Sequence, residues 1–168
     1  GPGANGTPCA LPGECLSGIC ADAVCCNAIC NGLCQACTAA KKGAGADGTC
    51  GSIIVGQDPD NECAMQAAAT CGTTGACSGA GACQLYANGT ACNDANACTQ
   101  TDTCQNGACT GNNPVICPAP DQCHNAGVCN AATGVCSNPN KANGTACNDG
   151  NGCTQTDTCQ AGVCTGAN

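Results

Sequence analysis

Twenty-five cysteines fall within 168 residues, about 15 % of the chain where roughly 8–10 % already marks a disulfide scaffold. Glutathione and thioredoxin would keep so many thiols reduced in a cytosol. The composition therefore places the chain in an oxidising setting, extracellular or at a cell surface. The count is odd, so at least one sulfur lacks an intrachain partner.

The rest of the composition explains the need for bridges. Leu, Ile and Val number 15 together, Phe and Trp are absent, and Tyr86 is the single aromatic. Apolar burial at roughly 25 cal/mol per Å² then falls short of the entropy of ordering the chain. Each bridge contributes about 2–4 kcal/mol by restricting the unfolded ensemble, so the expected core is sulfur.

Net charge is −8, with no Arg and only Lys41, Lys42 and Lys141 as cations. A basic footprint for nucleic acid or anionic lipid is missing. No apolar run reaches the roughly 18–20 residues of a membrane span. The chain opens on Gly1-Pro2 without Met or signal peptide, which reads equally as a processed end or as a remnant of tag removal.

An internal repeat organises the second half. Residues 87–113 recur at 142–168 with five of 27 positions changed and an offset of 55. With cysteines as markers, two eight-cysteine modules emerge. The first holds Cys63, Cys71, Cys77, Cys83, Cys92, Cys98, Cys104 and Cys109. The second holds Cys117, Cys123, Cys129, Cys136, Cys147, Cys153, Cys159 and Cys164. Nine cysteines precede them: Cys9, Cys15, Cys20, Cys25, Cys26, Cys30, Cys34, Cys37 and Cys50. The expected domains are 1–60, 61–113 and 114–168. If bridges stay within modules, the odd sulfur lies in the first. Eight cysteines allow 105 pairings, so connectivity stays open.

The fold class expected is small and disulfide-rich: irregular short β-hairpins in tandem cysteine-rich modules, with at most one or two short helices, elongated overall. Asn106-Gly107 between Cys104 and Cys109 signals a two-residue hairpin turn, because both residue types tolerate positive φ. Val128-Cys129 and Val135-Cys136 flank Asn130–Gly134 in the same manner. Cys30, Cys34 and Cys37 at i, i+4, i+7, followed by Lys41, Lys42 and Gly43, predict a helix. Glu62–Ala69 is a weaker helical stretch, and Ile53-Ile54-Val55 reads as a buried strand.

Little chemistry competes with disulfides. Cys34-Gln35-Ala36-Cys37 has C-x-x-C spacing and Cys25-Cys26 are adjacent. A redox dithiol calls for a βαβ setting, and zinc for paired C-x-x-C or histidines; His124 is the single histidine. It does not complete a haem motif and reads as an exposed loop residue. Asp94, Asn96 and Asp102, with Asp149, Asn151 and Asp157 in the second copy, offer oxygens in a tight turn. That makes calcium a candidate ligand, against turn capping by the same side chains. Asn5, Asn88 and Asn143 each begin an Asn-Gly-Thr sequon, a candidate glycosylation site. One histidine, no Arg and no spaced carboxylate pair leave no catalytic constellation, so the sequence reads as no enzyme.

The string ANGTACNDGNGCTQTDTCQAGVCTG at 142–166 resembles repeats in secreted, cysteine-rich surface proteins of gliding soil bacteria. GTPCALPGECLSGICADAVCCNAICNGLCQACTAA at 6–40 resembles them too, and its cysteine spacing is similar to the dickkopf-type N-terminal cysteine-rich fold. IVGQDPDNECA at 54–64 is similar to the usual join between the two kinds of module. The resemblance implies an exported surface or matrix component and carries over no functional residue.

These readings converge on a non-catalytic extracellular structural protein, a disulfide-stabilised subunit of a surface fibre, filament or matrix. The expected partner is the chain itself, in a head-to-tail polymer with an intermolecular disulfide, because the phrase at Ala4–Thr7 repeats the start of each matched block and an odd sulfur is available. The alternative is an adhesin or other ligand-binding surface module, although aromatic residues that grip sugars are missing.

Overall fold

Short antiparallel strand pairs, several of them closed by a tight turn between two cysteines, make up the regular structure. In the computed structural model, which describes residues 1–168, ten strands make five two-stranded sheets. They are β1 Cys20–Ala21 with β2 Val24–Cys25, β3 Gln35–Ala36 with β4 Gly51–Ser52, β5 Thr73–Cys77 with β6 Cys83–Leu85, β7 Thr99–Gln105 with β8 Ala108–Pro114, and β9 Thr156–Gln160 with β10 Val163–Ala167. The turn residues Asn106-Gly107 sit at φ 50° and 84°, and Ala161-Gly162 at 50° and 88°. Positive φ at both central positions matches the twist of the flanking strands.

The hairpins carry the disulfides in a recurring arrangement. Facing residues of an antiparallel pair point to the same face. Cys20 faces Cys25, Cys77 faces Cys83, Cys129 faces Cys136, and Cys164 faces Cys159; Cys104 and Cys109 flank their turn in the same way. Each of these cysteines bonds not to its neighbour but to a separate cysteine earlier in the chain. Cys9 and Cys15 reach the first hairpin. Cys34 and Cys63 reach the second, and Cys71 and Cys92 the third. Cys98 and Cys117 reach the fourth, Cys123 and Cys147 the fifth. Two bridges thus lie side by side on each of these five hairpins, with three of their sulfurs within 4.8 Å of one another; the β3–β4 pair carries no such set. Cys26–Cys37 and Cys30–Cys50 complete the twelve.

These paired bridges occupy the place of an oily core. The largest fully buried side chains are those of Ile53 and eight cysteines. By contrast Ile116 is 92 % and Leu16 71 % exposed. A small cluster joins Cys34, Ala36, Ile53, Cys63 and Cys77, and another joins Val24, Cys26 and Cys37.

The Ala-Asn-Gly-Thr phrase adds a third short rung to three hairpins. Thr7, Thr90 and Thr145 each close a turn by donating their N–H to the alanine carbonyl three residues back, at 3.1 Å. The same threonines accept from the N–H of Cys25, Cys104 and Cys159 at 2.8 Å. A backbone ladder therefore covers the buried cysteine in each case.

Contacts divide the chain into two compact units, Gly1–Cys92 with Thr103–Cys109, and Asn93–Asp102 with Thr110–Asn168. The loop carrying Cys98 belongs with the second unit. No helix is long and apolar enough to cross a membrane.

Several expectations require correction. Of the helix predicted from Cys30 through Lys41 and Lys42 to a stop at Gly43, only the last turn forms; the part over Cys30–Cys37 is absent, because its three cysteines are drawn to Cys50, Cys77 and Cys26, and Cys34 sits at φ 55°. The single α-helical turn is α1, Ala39–Lys42, capped by the Thr38 side chain and ended by Gly43. Glu62–Ala69 is extended but for a 3-10 turn at Ala68–Thr70. Of Ile53-Ile54-Val55 only Ile53 is buried; the strand lies just before it at Gly51–Ser52.

Candidate functional site

The two copies of the Asn-Asp-x-Asn-x-Cys loop have the same internal geometry and different surroundings. In the first copy the Asn93 side chain accepts from the Ala95 N–H and Asp94 Oδ1 from the Asn96 N–H, both at 2.8 Å. Asn96 Oδ1 accepts from the Cys98 N–H at 3.0 Å. Asp102 Oδ2 accepts from the Asp94 N–H at 3.2 Å, and Thr99 Oγ1 donates to the Asn96 carbonyl at 2.7 Å. The second copy reproduces each bond with Asn148, Asp149, Asn151, Asp157 and Thr154. Successive side chains of this kind rigidify a loop by satisfying its own N–H groups.

That geometry holds the sixth cysteine of each module in place. Cys98 is bridged to Cys129, and the Ala97 N–H donates to the Ala131 carbonyl at 2.7 Å. Gly134 lies so close that a Cβ there would stand 2.8 Å from the Ala97 carbonyl oxygen. The Cys98 carbonyl accepts from Val115 at 2.7 Å, as the Cys34 carbonyl accepts from Ile53 at 2.9 Å. An open groove of about 330 Å³ is lined by Asn93, Asn96, Asp102, Ala131 and Ala132, among others.

In the second copy Cys153 is the one free cysteine, and it is exposed. Asp149 and Asn151 are exposed where Asp94 and Asn96 are half-buried. Gly152, at the place of Ala97, meets nothing within 4 Å of a built Cβ. Placing the odd sulfur in the N-terminal module is thereby overturned. It rested on closed modules, and Cys34–Cys77 and Cys98–Cys129 each leave the module in which they begin.

The other candidates are distributed as follows. Cys34 and Cys37 of the C-x-x-C, and adjacent Cys25 and Cys26, are all disulfide-bonded to different partners, so none offers a thiolate to a metal. Asp94, Asn96 and Asp102 are brought together, as are Asp149, Asn151 and Asp157. Most of their oxygens cap turns; Asp102 Oδ1 and Asp157 Oδ1 are buried without a hydrogen-bond partner. Asn5, Asn88 and Asn143 are exposed. Asn88 and Asn143 accept from the Asn106 and Ala161 N–H groups at 2.7 and 2.8 Å, so each sequon asparagine also braces the hairpin turn behind it.

His124 is partly covered, not an open loop residue. Its Nδ1 lies 2.8 Å from Asp121 Oδ2. That hydrogen bond, with the Cys123 N–H, holds the Asp121 carboxyl below its ordinary value. No protein-family model, curated protein or solved structure matches the chain.

Proposed function

We propose that this chain is a non-catalytic extracellular structural protein, a disulfide-stapled subunit of a surface fibre or matrix that is extended module by module. The observation that carries this reading is the pair of bridges, Cys34–Cys77 and Cys98–Cys129, that tie the sequence modules together in addition to the backbone. A ligand-binding module gains little from fastening each repeat to the next, whereas a load-bearing element gains resistance to extension and to proteases. The side chains available for chemistry support the same view. The sole imidazole is held by Asp121, and Lys41 is held between Asp22 and Asp60. The resemblance of residues 142–166 to repeats of exported bacterial surface proteins points the same way.

Head-to-tail association of copies belongs to this proposal, but without the intermolecular disulfide expected along the polymer, because Cys153 is the one free cysteine and a bond between two of them joins like ends. Electron microscopy of native material tests it. Continuous fibres or a regular layer are expected, and discrete particles at all concentrations would overturn the reading. Gel electrophoresis with and without reductant then reports whether copies are covalently joined.

A further inference from the structure

We propose that Cys153 is the outgoing half of an inter-module disulfide. Its partner is the first cysteine of a hairpin on a further eight-cysteine module, seated against the loop Asn148–Cys153. This deepens the structural reading above and rests on it for its setting.

Three observations carry the assignment. The first is direction: in all ten bridges that reach a paired-bridge hairpin, an earlier cysteine bonds to a later hairpin. The second is position. Within both modules the first cysteine bonds the fourth, the second the seventh, and the fifth the eighth. The third receives a bridge from the preceding module, and the sixth of the first module sends one onward. Cys153 is a sixth cysteine. The third is the docking surface itself. The first copy shows what occupies it: a cysteine hairpin whose Ala131 carbonyl takes the Ala97 N–H. In the second copy the same loop is formed, bond for bond, with the Gly152 N–H and the Cys153 thiol presented and uncovered.

The identity of the partner is narrowed further by what is already used. Both third-position cysteines of this chain, Cys77 and Cys129, are bonded. A second intact copy therefore offers Cys153 only its own Cys153. The fitting partner is a module whose third cysteine is still a thiol, whether it follows on the same polypeptide or belongs to another. Bond formation removes one proton and one electron from each thiol. The two electrons pass to a small disulfide such as oxidised glutathione, which leaves as two thiols.

The test appends a copy of residues 114–168 directly after Asn168 of the full chain, oxidises it in a glutathione buffer, and maps disulfides by mass spectrometry. Cys153 is expected to bond the third cysteine of the added module, with the single free thiol moved to that module's sixth cysteine. A free Cys153, or its bonding elsewhere, overturns the proposal. A second measurement uses the unextended chain, independent of whether the added module folds. A peptide with the sequence of residues 126–135, its cysteine activated as a thionitrobenzoate disulfide, is mixed with the protein beside a scrambled peptide. Docking raises local thiol concentration, so exchange at Cys153 at least about 10-fold faster than with the scrambled peptide is expected. Equal rates refute a seat for the partner in trans. Neither result depends on whether native material forms fibres, so the two proposals fail separately.

Discussion

Equivalent cysteines in the two modules should have unequal energetic weight. The perturbation is Cys98→Ala with Cys129→Ala, set against Cys153→Ala. Removing the Cys98–Cys129 bridge reopens a loop of sequence separation 31, for which loop-closure entropy gives about 3.7 kcal/mol at 25 °C. That figure is a ceiling, since Cys117–Cys136 still restrains part of the loop. The Ala97–Ala131 and Val115–Cys98 hydrogen bonds, each at 2.7 Å, are then left to hold the contact, and a single such bond contributes about 1 kcal/mol net. Cys153 is exposed and unbonded, so its replacement stays within about 0.5 kcal/mol. Amide exchange by NMR measures the difference at Ala97. Its protection should fall by up to roughly 500-fold in the double variant and stay unchanged in Cys153→Ala. Unchanged protection in the double variant, or an equal loss in both proteins, would refute the view that the bridge and not the loop geometry secures the module contact.

Other outcomes follow from local features. A Cβ at Gly166 would stand 2.4 Å from both Asp149 Oδ2 and Thr154 Cγ2; Gly166→Ala should cost about 1–3 kcal/mol in denaturant unfolding, whereas Gly152→Ala, open on all sides, should cost little. Burial pushes the Asp22 carboxyl up, but the Cys37 N–H and Lys41 outweigh it and leave it below its ordinary value. Its contribution is therefore present above about pH 4 and lost as pH falls through the depressed folded value; Asp22→Asn should remove that part of the acid slope in unfolding midpoints. Calcium at about 1 mM, the range of weak extracellular sites, should leave the melting temperature unchanged because the Asp94, Asn96, Asp149 and Asn151 side chains already cap N–H groups. A calcium-dependent rise lost in Asp102→Asn would instead assign the buried Asp102 oxygen to an ion.

Legibility in the sequence followed physical range. Asn106-Gly107 announces its hairpin because the turn is decided by two residues' own φ preferences. The reliance on sulfur was equally plain, since 15 aliphatic residues cannot bury enough surface. The failure over Cys30–Cys37 has a definite cause. Helical spacing of apolar residues signals a shared face only when they pack together, and these cysteines are pulled to three distant partners. Connectivity is a long-range property that spacing alone does not determine. Placing the odd sulfur fails for the same reason, although the correspondence of Cys98 with Cys153 is visible in the repeat. What no single sequence displays is the difference in surroundings between two loops of nearly identical composition.

The one-way direction of bridging bears on synthesis. A chain released N-terminus first meets its cysteines in order, and each bridge closes the earliest sulfur still waiting: Cys9 before Cys15, Cys71 before Cys92, Cys98 before Cys117. No more than three thiols ever wait together under this pairing. The combinatorial problem that twenty-five cysteines pose to a refolding chain is thus reduced, as the chain emerges, to a short queue served in order of arrival, and Cys153 stands at its head.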